Sequence, residues 1–130
     1  MSGKKYLLDT NIIIDLFTGN QDIGQQIKQL EAPIVSAITI GELYFGAEKS
    51  QQRSKHLKQV NEFVEICTIL DIDLATTKVY GKIKNALKMK GRPIHENDLW
   101  IAATSIQHNL VLATKDKHFI EIENLDLKQM

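Results

Sequence analysis

The sequence has few of the residues that mark special classes of protein. Among its 130 residues are a single cysteine, Cys67, and two prolines, and aromatic residues make up only 6%. A disulfide within the chain is therefore excluded, and Cys67 is expected to pack as a small apolar residue. No apolar run approaches the roughly 20 residues that a membrane-spanning helix needs. The short start of the chain, Met1 to Lys5, leaves no room for a signal peptide, so a cytoplasmic protein without membrane association is expected.

An excess of charge of either sign is absent as well. Sixteen Lys and Arg balance sixteen Asp and Glu. This balance argues against binding nucleic acid through overall charge, although a local basic patch beside an acidic site stays open. The length, the ordinary apolar content and the absence of linkers or repeats predict that residues 1–130 form a single domain.

Short apolar runs alternate with amphipathic helical patterns along the chain. Strands are predicted at 6–8, 34–37, 68–70, 111–114 and 120–122. Helices are predicted between them, among them one capped by Asp22, one opening at Thr39 and one running from Asp73 to Gly91. No hairpin signal occurs. The alternation therefore predicts an α/β fold of three layers, with a central parallel sheet of about five strands.

The first apolar run stops abruptly at Asp9, in the segment LLDTN. Ligands of open parallel sheets bind outside the carboxyl ends of the strands, so Asp9 is expected in that crevice. Asp116 closely follows another strand, while Glu42 and Asp98 fall in the first turns of helices. All four carboxylates are therefore able to converge on one edge of the sheet.

Each acidic residue also has a simpler explanation. Asp9 could cap the following helix, and Thr39 with Glu42 matches a capping box. Asp98 could complement a helix dipole, and Asp116 could lie in a surface turn. Capping does not, however, predict that all these acids fall at the same edge.

Carboxylates held together repel one another unless their pKa values rise or a cation binds. Mg²⁺ or Mn²⁺ suits such oxygen ligands, whereas zinc is not expected because the histidines show no ligand spacing with Cys67. Such ions bind phosphodiesters and generate hydroxide from water. Neither a Gly-rich phosphate loop nor a nucleophile elbow is present. The pattern indicates phosphodiester hydrolysis without a protein nucleophile.

A basic segment precedes Asp98. No acid occurs in residues 74–95, which contain Lys78, Lys82, Lys84, Lys88, Lys90 and Arg92. The segment is either a surface that follows the phosphates of a nucleic acid or an ordinary solvated helix face. Arg92, nearest the acids, is the best candidate for a phosphate contact. Trp100 could stack on a base, although its apolar neighbours are more typical of a core or dimer interface.

Four segments in chain order resemble the PIN-domain nucleases: LLDTNIIIDL, ITIGELYFG, GRPIHENDLWIAA and LATKDKHF. Within that family the chain is similar to the VapC-type toxins of bacterial toxin–antitoxin pairs, over nearly its whole length. The resemblance implies a Mg²⁺- or Mn²⁺-dependent endoribonuclease that cuts RNA, forms a homodimer and is neutralised by a small antitoxin protein. An apolar patch of Ile12, Ile13, Leu43, Tyr44 and Phe45 is expected to serve these protein contacts.

The resemblance also assigns roles to single residues. The four acidic positions of the family, the metal ligands, fall on Asp9, Glu42, Asp98 and Asp116. The hydroxyl position falls on Thr114, and Asn11 matches a polar position beside the metal. Glu96 has no fixed counterpart and is kept as a possible auxiliary. The alternatives are a PIN-type nuclease of general RNA maturation, a non-catalytic RNA-binding module, and a receiver-like module, which the missing acid pair after the first strand disfavours.

Overall fold

The computed structural model describes residues 4–130, and the first three residues, on which the expectation about a signal peptide partly rests, lie outside it. The strands are β1 (Tyr6–Leu8), β2 (Ile34–Ser36), β3 (Thr68–Leu70), β4 (Val111–Thr114) and β5 (Asp126–Gln129). The helices are α1 (Thr10–Phe17), α2 (Gln21–Lys28), α3 (Ala37–Glu48), α4 (Arg53–Ile66), α5 (Leu74–Lys90) and α6 (Glu96–Gln107). A 3-10 helix, Lys117–Glu121, lies between β4 and β5.

The strands form one parallel sheet in the order β3-β2-β1-β4-β5. Successive side chains of a strand point to opposite faces, and this alternation divides the core in two. Leu7 and Leu112 pack against α5 and α6, whereas Leu8 and Ala113 pack against α1 to α4. The predicted α/β fold of three layers around a parallel sheet is confirmed.

The fifth strand lies later in the chain than predicted. Residues 120–122 are not a strand, because the 3-10 helix occupies Lys117–Glu121 and buries Phe119 against the core. Ile122 follows it and is also buried. The strand β5 is exposed at every position and lacks an apolar alternation, so its sequence carries no strand pattern. Its pairing with β4 gives it the extended conformation.

The caps of α5 agree with the sequence prediction, whereas the cap of α2 differs from it. Asp73 caps α5, and Gly91, with a φ of 70°, ends it as predicted. The cap of α2 is Asn20 rather than Asp22, because the Asn20 side chain accepts the backbone N–H of Ile23.

The capping box that offered a simpler explanation for Thr39 and Glu42 does not form. The helix already begins at Ala37, and the Ser36 side chain caps it by accepting the backbone N–H of Ile38. Thr39 therefore lies inside the first turn, where its side chain is fully buried. The side chain of Glu42 is consequently free of a capping role.

The predicted apolar patch is largely core. Ile12, Ile13 and Leu43 are buried between the sheet and α1 to α4. Phe45 is 66% exposed, and Ile14, which was not predicted, is 49% exposed.

None of the helices within residues 4–130 is both long and apolar enough to cross a membrane.

Candidate active site

The four predicted carboxylates come from four different segments around the neighbouring strands β2, β1 and β4. Asp9 directly follows β1, Asp116 follows β4, Glu42 lies on the helix after β2, and Asp98 lies in the first turn of α6. The simpler roles are also present. Asp9 caps α1 by accepting the backbone N–H of Thr10 at 2.8 Å, and Asp116 caps the 3-10 helix. Capping and membership of an acidic site therefore coexist.

The pKa of Asp98 depends on the other three carboxylates. Its pKa rises to about 6, first because the side chain is buried and then because of the charges of Asp9, Asp116 and Glu42, in that order. Only His95 acts in the opposite direction among the main causes. The four acids thus share one electrostatic field, in which the ionised form of Asp98 is disfavoured.

Asp9 is 3% exposed, and this burial is the largest cause of its raised pKa. The Thr114 hydroxyl, which donates to Asp9 Oδ2 at 2.6 Å, and the backbone N–H of Thr10 oppose the rise. The charges of Glu42 and Asp116 add to it. The single proton of the Thr114 hydroxyl thus supports the Asp9 carboxylate and holds one of its oxygens.

Asn11 closes this arrangement around Asp9. Its Nδ2 donates to Asp9 Oδ2 at 3.3 Å and to Thr114 Oγ1 at 3.4 Å, and its Oδ1 accepts the backbone N–H of Lys115 at 3.2 Å. The backbone N–H of Asp116 also donates to Thr114 Oγ1, at 3.0 Å. Asn11 thereby ties α1 to Thr114 and Lys115, which lead to Asp116.

Glu42 has a partner that the sequence interpretation missed. Thr10 Oγ1 donates to Glu42 Oε1 at 2.6 Å and lies 3.1 Å from Thr39 Oγ1. No sequence pattern signals such a contact, because a threonine hydroxyl has no characteristic spacing. His95, the second missed residue, had a signal: it stands three positions before Asp98 at the start of the same helix.

Three other residues lie outside this arrangement. Arg92 is exposed and, within residues 4–130, has no ion pair, and it is not among the charges that shift the pKa of Asp98. Trp100 stacks on Tyr80 with ring centroids 3.8 Å apart. Glu96 accepts hydrogen bonds from Tyr80 and from Lys84, which is 3.2 Å away, so its carboxylate is directed to α5.

The donor set fits a hard divalent cation in an open site. Within residues 4–130, no group of three or more His, Cys, Asp or Glu side chains is arranged to hold a metal ion by itself. Mg²⁺ does not require one, because it is usually held by one or two carboxylates together with waters and substrate phosphates. Asp98 and Asp9, whose pKa values are raised by burial and by neighbouring charges, gain most from such a cation.

Comparisons with known proteins identify the family to which this chain is similar. The PIN domain family matches residues 6–125. Ribonuclease VapC1 of Haemophilus influenzae is 38% identical over 92% of this chain and 93% of its own, and the tRNA(fMet)-specific endonuclease VapC of Shigella flexneri is 30% identical over 90% of each. The structure of VapBC2 from Rickettsia felis, bound to a DNA fragment from their promoter, superposes with a TM-score of 0.89 at 30% identity and covers 95% of this chain and 97% of that one. The chain therefore belongs to the PIN domain family, as its four sequence segments predicted.

Proposed function

We propose that this chain is a Mg²⁺- or Mn²⁺-dependent endoribonuclease that acts as the toxin of a toxin–antitoxin pair. The observation that carries the proposal is the shared field of four carboxylates, in which the pKa of Asp98 rises to about 6. Such a field disfavours the ionised forms of Asp98 and Asp9 until a cation balances them. Relatives that bear the names ribonuclease and endonuclease support RNA as the substrate.

The proposed roles follow from the surroundings of each side chain. Asp9 and Asp98 hold the metal, Glu42 binds it or orients the attacking water, and Asp116 acts as an outer or second-metal ligand. Thr114 and Asn11 keep the Asp9 carboxylate in place through their hydrogen bonds. A divalent cation bound here lowers the pKa of a water ligand and balances the charge of the phosphodiester.

The basic segment supports a path for the RNA beside the acids. A cleft of about 420 Å³ lies at the turn between α5 and α6, and two lysines are among the residues that line it. It is lined by Lys84, Leu87, Lys88, Pro93, Ile94, Glu96 and Leu99. Lys88 and Arg92 have no ion pair within residues 4–130, so both charges are available to phosphates. We propose that Arg92 contributes affinity for RNA and takes no part in the chemistry.

An apolar groove supports the proposed antitoxin partner. It lies between α1, α3 and α4, is lined by Ile14, Phe17, Leu43, Ala47 and Val60 among others, and reaches Glu42 at the acidic site. The exposed Phe45 is on the same helix as Glu42. We propose that an apolar segment of the antitoxin occupies this groove. We further propose a cytoplasmic homodimer of single-domain chains, which light scattering at high protein concentration will test.

The decisive experiment measures RNA cleavage directly. The purified protein is incubated with a pool of transfer RNAs and Mn²⁺, and discrete cuts are expected that chelator and the substitution Asp9→Asn both abolish. RNA binding without cleavage by the wild type would contradict the proposal. Growth arrest on induction, relieved by the product of the neighbouring gene, is expected of a toxin and not of an enzyme of general RNA maturation.

A further inference from the structure

A chain of hydroxyl groups leads from the protein interior to Glu42. Thr10 Oγ1 lies 2.6 Å from Glu42 Oε1 and 3.1 Å from Thr39 Oγ1. Thr39 is fully buried, and it stands three residues before Glu42, on the same face of α3. Thr10 belongs to α1, so the chain joins two helices.

The chemistry of the three groups sets the direction of these hydrogen bonds. An ionised carboxylate only accepts, and a hydroxyl has one proton to donate. Thr10 therefore donates to Glu42, and the proton between the two threonines comes from Thr39. Within residues 4–130, Thr39 has no other side-chain hydrogen bond, and no buried side-chain oxygen is left without a partner.

We infer that Thr10 is a positioning residue for Glu42, with Thr39 holding the Thr10 hydroxyl in the donating orientation. This inference rests on the proposed function, because it assigns Glu42 to the metal or its water. The side chain of Glu42 has three rotatable bonds, and a short hydrogen bond to a residue fixed at the helix start restricts them. Thr114 holds Asp9 across an equal distance of 2.6 Å. Glu42 and Asp9 are thus each oriented by a different threonine.

The test compares Thr10→Val with Thr10→Ser. Valine keeps the shape of threonine and removes the hydroxyl, whereas serine keeps the hydroxyl. Mn²⁺ affinity is measured by calorimetric titration of the protein without RNA. We expect the Kd of Thr10→Val to rise by about tenfold, in the range found for groups that orient metal ligands. Thr10→Ser is expected to remain within about twofold of the wild type. Thr10→Ala provides the same comparison should valine disturb the fold.

A double-mutant cycle then separates positioning from a general loss of structure. In the background Glu42→Gln, removing the Thr10 hydroxyl is expected to add no further loss of Mn²⁺ affinity, because its effect runs through the carboxylate. Unchanged affinity in Thr10→Val, or an equal further loss in the double variant, would overturn the inference. Failure of the wild type to cleave RNA while Thr10→Val still weakens Mn²⁺ binding would overturn only the proposed function. Absence of Mn²⁺ binding by the wild type would overturn both.

Discussion

Glu96 and Asp98 stand two residues apart in the first turn of α6, yet their carboxylates have opposite surroundings. Asp98 is half-buried among other acids, and its pKa rises to about 6. Glu96 is exposed on the α5 side, where hydrogen bonds from Tyr80 and then Lys84 lower its pKa. Both residues complement the dipole of the same helix. The comparison teaches that a shared helix turn does not decide whether the pKa of an acid rises or falls, because the neighbouring elements do.

The largest expected difference between these two acids is in RNA cleavage. Asp98→Asn removes a proposed metal ligand, and we expect cleavage to fall by about a hundredfold or more. Glu96→Gln makes the matched change on the same helix turn, and its cleavage is expected within about twofold of the wild type. Initial rates at saturating Mn²⁺ measure both. Equal losses in the two variants would show that Asp98 has no special role.

The second largest difference between the two variants is expected in how much the metal stabilises them. Mn²⁺ at about 100 times its Kd is expected to raise the free energy of unfolding of the wild type by about 2.7 kcal/mol. Glu96→Gln should show the same increase, and Asp98→Asn a clearly smaller one at that concentration. Chemical denaturation with Mn²⁺ and with chelator gives the comparison. An equal increase in Asp98→Asn would place the metal elsewhere.

Without metal, the same two substitutions should shift stability in opposite directions at pH 7. The folded pKa of Asp98, about 6, exceeds its ordinary value of 3.8, so its ionisation destabilises the fold progressively between about pH 4 and pH 6. Asp98→Asn is therefore expected to gain about 1–2 kcal/mol at pH 7, allowing for solvent screening, and to lose this gain near pH 4.

The ionisation of Glu96 has the opposite effect on the stability of the fold. Its pKa is lowered, so it stabilises the fold above its ordinary value of 4.5, and this contribution disappears as the pH falls. Glu96→Gln should thus be less stable than the wild type at pH 7 and equal to it in acid. Unfolding in chelator across this pH range measures both changes. A loss of stability in Asp98→Asn at pH 7 would mean that its role is structural.

The smallest effect concerns the basic side of the site. Arg92→Ala is expected to weaken RNA binding severalfold and to reduce the slope of log K against log salt by about one phosphate contact. The control Lys58→Ala removes the same charge from the exposed surface of α4, on the other face of the sheet, and should change neither quantity. Filter binding with the inactive Asp9→Asn background gives the slopes. Identical slopes for both variants would make the basic segment an ordinary solvated surface.

Much of this site was predictable because its acids follow recognisable elements. Asp9 ends a buried strand, and Asp116 follows another one, so the parallel topology brings them to one edge. Thr10 and Thr39 were not predictable, since their contact joins two helices and depends on the packing of α1 against α3. The capping box at Thr39 failed for a related reason. Ser36 starts the helix earlier, and this leaves Glu42 turned towards Thr10.

The sequence by itself determined the layers of this protein and the edge of the sheet at which its acids gather. Alternating apolar strands and amphipathic helices require a covered parallel sheet, whatever their detailed packing. Only the tertiary structure decided that Asp98 faces the other acids while Glu96 pairs with Lys84. It also decided that the exposed residues Asp126–Gln129, and not 120–122, form the fifth strand. The physical reason is the same in both cases, because hydrogen bonds and charges from distant segments fix these residues and leave no periodic trace along the chain.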